Sequence, residues 1–280
     1  MMCSKRWLSA ALAAVFATLL AAAAVAADAE RAPQTYFYFV FSNPVAGRED
    51  EYNRWYDEQH APDVVSIPGF MSAQRFVLSD LQLREVALKK PKYLVVYRII
   101  TTDLAALGAE VNRRLASGQT RMSSSFDAGS AMGITYRALA PEKVGAGAGG
   151  ASAAAAPGAL TYYQFVFADP ATGRDADFNH WYDTYHGPEV AAVSGFVSWQ
   201  RGVLSEQQLN PPTAAPRYLA MFRIVTSDLP AVFADFQRRA PGMSMSAAFD
   251  GDRTFGYTYR AIGPLLSGEQ VRAQRAHGAR

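Results

Sequence analysis

Two runs of the chain are apolar on both of their alternating faces. Thr35 to Phe41 (TYFYFVF) is one, and Tyr93 to Ile100 (YLVVYRII), interrupted only by Arg98, is the other. Such runs predict strands covered from both sides. Phe70 to Ser79 (FMSAQRFVLS) is a more mixed strand with Arg75 inside it, and Gly133 to Leu139 (GITYRAL) predicts a fourth. Ahead of the second strand, Tyr52, Trp55, Tyr56, Gln59 and His60 fall at i, i+3, i+4, i+7 and i+8, which is one face of an α-helix. Glu49, Asp50 and Glu51 occupy its first turn, where the macrodipole favours them, and Pro62 predicts its end. A second helix is signalled by Leu104, Leu107, Val111 and Leu115, with Asp103 placed to cap it. The resulting order is βαββαβ.

The whole pattern then recurs. Thr35–Asp80 aligns without a gap to Thr161–Glu206, with 23 of 46 positions identical. The aromatic face returns as Phe178, Trp181, Tyr182, Tyr185 and His186, followed by Pro188. The two copies span 34–142 and 159–265, and a Gly/Ala-rich stretch at 143–158, without a core pattern, predicts a flexible linker. The polar residues 266–280 predict a disordered tail. At the other end, Lys5 and Arg6 precede an alanine-rich apolar run and a small-residue site at Ala24-Val25-Ala26, so 1–27 reads as a secretory signal peptide and the mature protein as periplasmic or secreted.

Export changes the remaining totals. Without Lys5 and Arg6 the 27 basic residues fall to 25, equal to the 25 acidic ones, and no basic stripe remains. That argues against nucleic acid as a partner, and against the membrane once the signal is cleaved. The only cysteine, Cys3, leaves with the signal, which excludes disulfides and thiol chemistry. No glycine-rich phosphate loop and no nucleophile-elbow serine is present. One histidine per copy, without a second at i+4, falls short of a metal set, so neither a metal nor another cofactor is expected.

The βαββαβ order predicts a ferredoxin-like α+β unit, with strands one and three central and strands two and four at the edges. Helices cover one face of such a sheet, and the second copy is the economical cover for the other. The chain is therefore expected to be a fused pseudo-dimer, able to exist as a monomer. The motif (Y/F)N-x-WYD-x-x-H-x-P followed by PGF or SGF, which occurs at Tyr52–Phe70 and Phe178–Phe196, resembles the dimeric α+β barrel superfamily, and its EthD-like branch in particular. That resemblance implies a small-molecule barrel, with relatives that include cofactor-free monooxygenases, isomerases and cyclases alongside haem enzymes and proteins of unknown role. It points at the H-x-P histidines, His60 and His186, and at the aromatic pairs Trp55–Tyr56 and Trp181–Tyr182.

Chemistry is therefore sought first on the aromatic helix. His60 and His186 are candidate proton-transfer groups, with Asp57 and Asp183 three residues earlier as candidate orienting partners. Tyr56 and Tyr182 are candidate hydrogen-bond donors to a substrate oxygen. Tyr52, Phe178, Trp55 and Trp181 would line a pocket, and Arg75 or Arg201, if turned inward, would meet an anionic or enolate substrate. Each has a plainer role: histidines can cap a helix end, aromatics can be core, and edge-strand arginines can be solvated. Arg98 and Arg223 lie in otherwise apolar strands, where a structural partner such as Asp127 or Asp250 is the first expectation. The expected function is a cofactor-independent isomerase, cyclase, lyase or monooxygenase acting on a small aromatic or lactone-like molecule through a His–Asp pair. The rival is a non-catalytic small-molecule-binding or stress-response barrel.

Overall fold

The computed structural model describes residues 32–84, 91–148, 157–210 and 214–278. The expected signal peptide lies outside them, as does the middle of the expected linker, 149–156. The first copy comprises β1 (Gln34–Pro44), α1 (Glu49–Trp55), a widened turn at Tyr56–His60, α2 (Ala61–Val65), β2 (Phe70–Leu78), β3 (Tyr93–Thr101), α3 (Leu104–Ala116) and β4 (Phe126–Ala138). A short β5 (Lys143–Val144) follows. The second copy comprises β6 (Leu160–Pro170), α4 (Asp175–Trp181), a widened turn at Tyr182–His186, α5 (Gly187–Ala191), β7 (Phe196–Leu204), β8 (Tyr218–Thr226), α6 (Leu229–Arg239) and β9 (Phe249–Ser267), and α7 (Gly268–Gly278) ends the chain.

Within each copy the two-sided apolar strands are central, in the orders β4-β1-β3-β2 and β9-β6-β8-β7. The copies are joined edge to edge, because β2 pairs with β9 and β4 with β7, both antiparallel. Eight strands thus close on themselves, which removes the open edges that two stacked sheets would have left. This is a ferredoxin-like α+β barrel made by one chain. Its lumen is packed with Phe37, Phe39, Phe41, Phe165, Phe167 and Tyr259 among others. Phe39 and Phe165, equivalent residues of β1 and β6, meet edge to face at 5.3 Å between centroids. The helices cover the outer face of the barrel in two further apolar layers, one per copy.

Each copy also lends the other an arm. After β2 the chain crosses to the second copy, where the Gln82 amide donates to Thr258 O at 2.9 Å and accepts from Thr258 N at 2.8 Å, as a strand neighbour would. After β7 the chain returns the gesture: Gln208 makes the same pair of bonds with Thr135, at 2.9 and 2.8 Å. Leu209 thereby joins the apolar layer of the first copy, and Leu83 that of the second.

Two expectations are corrected. Residues 266–280 are not a disordered tail over their described length: Ser267 ends β9 and Gly268–Gly278 is helical. Arg272 donates to the carbonyls of Val65 and Phe70, each at 3.0 Å, and Arg275 pairs with Asp63 at 2.6 Å, so polar side chains dock α7 together with the buried Val271. The start of the expected linker is likewise fixed, since β5 adds to the free edge of β7. A Cβ on Gly147 would lie 1.9 Å from the Val193 carbonyl, so the glycine here serves close backbone approach.

Candidate functional site

Pro62 and Pro188 do not end their helices. The chain stays helical through both, and the turn before each proline widens so that Ala61 N–H and Gly187 N–H donate to the carbonyls of Tyr56 and Tyr182, five residues back. The proline ring would crowd the carbonyl four residues back in a regular α-helix, and the extra residue in the turn accommodates it. The same widening moves the histidine. An i→i+5 spacing stacks His60 on Trp55 at 4.5 Å and His186 on Trp181 at 4.6 Å, with Tyr56 and Tyr182 edge-on to the rings at 5.1 and 5.0 Å. The tryptophans are held in turn, donating Nε1–H to Arg121 O at 2.9 Å and to Ser244 O at 3.1 Å.

The widened turn also separates the expected His–Asp pairs. Asp57 accepts from Arg75 Nη1 at 2.6 Å, and Asp183 lies 3.1 Å from Arg201 Nη1 in an ion pair that falls short of hydrogen-bond geometry. Nδ1 of each histidine is sealed from solvent without a hydrogen-bond partner. Burial pushes both imidazoles down from 6.5 to about 4, so both are neutral near pH 7. A hydrogen bond with the Arg121 backbone opposes the shift at His60. At His186, Glu189 opposes it, while Arg201 and Arg84 add to it.

Arg75 and Arg201 are neither solvated nor turned into the barrel. They point into the helix-covered layer, 5% and 3% exposed. Arg75 lies 4.9 Å from the Tyr56 ring centroid and 5.7 Å from that of Tyr93, and Arg201 lies 4.5 and 5.5 Å from Tyr182 and Tyr218. Each donates Nη2–H to an asparagine, Asn53 Oδ1 at 2.6 Å or Asn179 Oδ1 at 2.7 Å, whose Nδ2–H donates to Tyr93 or Tyr218 at 3.0 or 2.9 Å. Those hydroxyls donate onward to Glu49 and Asp175. The arginine, asparagine, tyrosine and acid thus clamp helix to sheet in both copies. Asn53 and Asn179 escaped the sequence reading, although their recurrence inside the motif was visible.

The space beside the histidines differs between copies. In the second copy a cavity of about 160 Å³ lies between helix layer and sheet, lined by Trp181, Tyr182, His186, Phe222, Phe249 and Gln164 among others. Gln164 Oε1 accepts from Thr258 Oγ1 at 2.6 Å, which leaves its Nε2 to face the cavity beside Gly256. Arg84, on the arm lent by the first copy, also lines it. Tyr182 is held neutral by burial. In the first copy the positions of Gln164 and Phe222 hold Tyr38 and Tyr97, whose rings stack at 6.0 Å. The Tyr38 hydroxyl hydrogen-bonds Asn210, the counterpart of Arg84, so larger side chains occupy the equivalent positions. Tyr52 bonds Ser42 Oγ at 2.8 Å in the first copy, whereas Phe178 and Ala168 replace both partners in the second. Among the described residues no cluster of three or more His, Cys, Asp or Glu could hold a metal ion, and no helix is long and apolar enough to cross a membrane.

The geometry defines the class: a single-chain ferredoxin-like α+β barrel with a cavity between helices and sheet. No protein-family model matches the chain, and no curated protein matches it. Solved structures do. An anthrone oxidase-like protein is 11% identical, with a TM-score of 0.52, covering 85% of this chain and 95% of its own. A Fusobacterium nucleatum protein assigned as a monooxygenase is 10% identical, with a TM-score of 0.49, covering 84% and 95%. A chlorite dismutase variant from Candidatus Nitrospira defluvii is 12% identical, with a TM-score of 0.47, covering 85% and 94%. At such identities the likeness establishes the fold alone.

Proposed function

We propose that the protein is an exported, cofactor-independent enzyme of EthD-like type whose working site is the second-copy cavity, and that His186 takes a proton from a small aromatic or lactone-like substrate there. The observation that carries the reading is a neutral imidazole, without a hydrogen bond to Asp183, at the wall of an apolar cavity that the Gln164 amide and Arg84 also line. A cavity of about 160 Å³ suits one ring, since roughly 150 Å³ holds benzene. A phenol, enol or unsaturated lactone placed against Trp181 and Phe222 would present its oxygen to the Gln164 amide, with Arg84 adding positive charge. His186 would take the acidic O–H or C–H proton, and the anion left behind would face those donors. A group held at about 4 is a weak base in the empty site, but the imidazolium it becomes would be stabilised by the adjacent anion. Isomerisation, cyclisation, elimination or oxygenation can each begin from such an anion. His60 carries no comparable role, because Tyr38 and Tyr97 occupy the matching space. Cleavage of the leader, checked by sequencing the mature N-terminus of the exported protein, belongs to the same reading.

The test is ligand-observed binding and turnover with a panel of single-ring phenols, quinones and unsaturated lactones. Gln164→Tyr, which copies Tyr38 into the second cavity, should weaken binding by more than about 30-fold while the melting temperature holds. His186→Ala should keep binding and lose turnover, whereas His60→Ala should keep both. Binding unchanged in Gln164→Tyr would remove the site. Binding without turnover in wild type would leave the non-catalytic module.

A further inference from the structure

A second and larger cavity, of about 630 Å³, opens at one end of the barrel lumen. It is distinct from the helix-layer cavity and independent of the enzyme reading. Its depth is apolar, formed by Phe37, Phe76, Val96, Tyr163, Phe165 and Met221. Phe76 meets Tyr163 and Phe165 edge to face at 5.2 and 5.6 Å, so the inner wall is an ordered aromatic surface. The mouth is polar and carries Arg98 and Arg223, equivalent residues of the two central strands β3 and β8. Strand alternation turns both into the lumen, with Leu94 and Val96 before one and Leu219 and Met221 before the other. Their strand partners correspond as well: Arg98 lies opposite Phe37 and Ser72, and Arg223 opposite Tyr163 and Ser198.

The expected carboxylate partners are elsewhere. Asp127 accepts from Gly129 N–H and Asp250 from Asp252 N–H, each at 3.1 Å within its own turn. Arg223 Nε–H donates to Ser198 Oγ at 3.1 Å, and Ser198 in turn donates to Glu142. Arg98 is exposed, and no ion pair to it forms among the described residues. Two guanidinium groups therefore stand over an apolar chamber with Glu142 as the one carboxylate of its lining, which leaves one positive charge uncompensated.

We propose that the lumen mouth is a binding site for a compact amphiphilic monoanion, with its apolar body against the aromatic wall and a carboxylate head between Arg98 and Arg223. A chamber of 630 Å³ lies within the usual range of about 300–1,000 Å³ for small-molecule sites. Because the site straddles both copies, one ligand binds per chain. The two copies supply one arginine each, so fusing them in one chain keeps the pair together at any dilution.

Isothermal titration with 2-naphthoate, its methyl ester and 2-naphthylmethylammonium separates head from body. Wild type should bind one naphthoate per chain, the ester at least ~10-fold more weakly and the ammonium not at all. Naphthoate affinity should fall with added salt. The Arg98→Gln, Arg223→Gln double variant should lose at least ~10-fold for naphthoate and lose the preference over the ester, at an unchanged melting temperature. Gln164→Tyr should leave naphthoate binding intact, which separates this site from the helix-layer cavity. Absence of naphthoate binding at millimolar concentration, equal binding of all three probes, or a double variant that binds as wild type would overturn the proposal. Should the double variant melt early, Phe76→Trp, which fills the chamber, replaces it: naphthoate binding that survives this change is also contrary.

Discussion

The two helix-covered layers are built on one plan and finished differently. In both, a widened turn stacks histidine on tryptophan, and an arginine–asparagine–tyrosine clamp holds helix to sheet. In the first copy Tyr38, Tyr97 and Asn210 fill the space beside the ring, whereas in the second Gln164, Phe222 and Arg84 leave it open. Duplication thus preserved the frame, and a few side chains at matched positions changed what surrounds each histidine. Compensation runs through the pair. Ala61 and Ala73 of the first copy become Gly187 and Trp199 of the second, and a Cβ on Gly187 would stand 2.3 Å from the Trp199 ring.

The comparison can be broken most strongly at the clamp. Arg75→Met should destabilise by about 3 kcal/mol, because a buried cation is lost together with its charge-assisted hydrogen bonds to Asp57 and Asn53. Arg201→Met should cost clearly less, since Arg201 Nε and Nη1 are buried without hydrogen bonds, whereas Arg75 Nη1 donates to Asp57 Oδ1 and to Asn53 O. Chemical denaturation of the two variants checks this, and equal losses would mean that the clamps are energetically alike. Next in size is Gly187→Ala, expected to cost about 1–3 kcal/mol by overpacking against Trp199. In a Trp199→Ala background Gly187→Ala should cost less than in wild type, and a double-mutant cycle without coupling would refute the compensation.

Smaller still is Tyr97→Phe, which copies Phe222 into the first copy. The Tyr97 hydroxyl is buried without a partner, so its removal should be neutral or stabilising by up to ~1 kcal/mol. A loss larger than that would reveal a partner for the hydroxyl. The least difference between halves is expected in pH dependence. Both imidazoles are lowered from 6.5 to about 4 by burial. As pH falls through 6.5 the unfolded chain takes up protons first, so stability declines between about 6.5 and 4 and is flat above. His60→Gln and His186→Gln should each flatten that decline, measured as melting temperature against pH. A decline that begins above pH 7 would contradict it.

Much of this was legible in the sequence, and the reason is periodicity. Two-sided apolar runs marked β1 and β3 as central strands, and the 126-residue repeat supplied the second half of the barrel, because alternation and repetition are local properties of the chain. The aromatic face of the first helix was legible for the same reason. Its end was not: Pro62 reads locally as a stop, yet one extra residue in the turn carries the helix through it, turning Asp57 toward Arg75 and leaving His60 on Trp55. Arg75 looked like a solvated edge residue because nothing in β2 announces that Asn53, Tyr56 and Asp57 of the preceding helical segment would enclose it. The polar tail looked free because its docking partners, Asp63 and the carbonyls of Val65 and Phe70, lie about 200 residues away in sequence. The sequence by itself determined the elements, their order and the duplication, since each depends on neighbours within a few residues. Only the tertiary structure decided what surrounds each histidine, which carboxylate meets which arginine, and that Arg98 and Arg223 share one mouth, because each of these depends on side chains brought together by strand closure across the two copies.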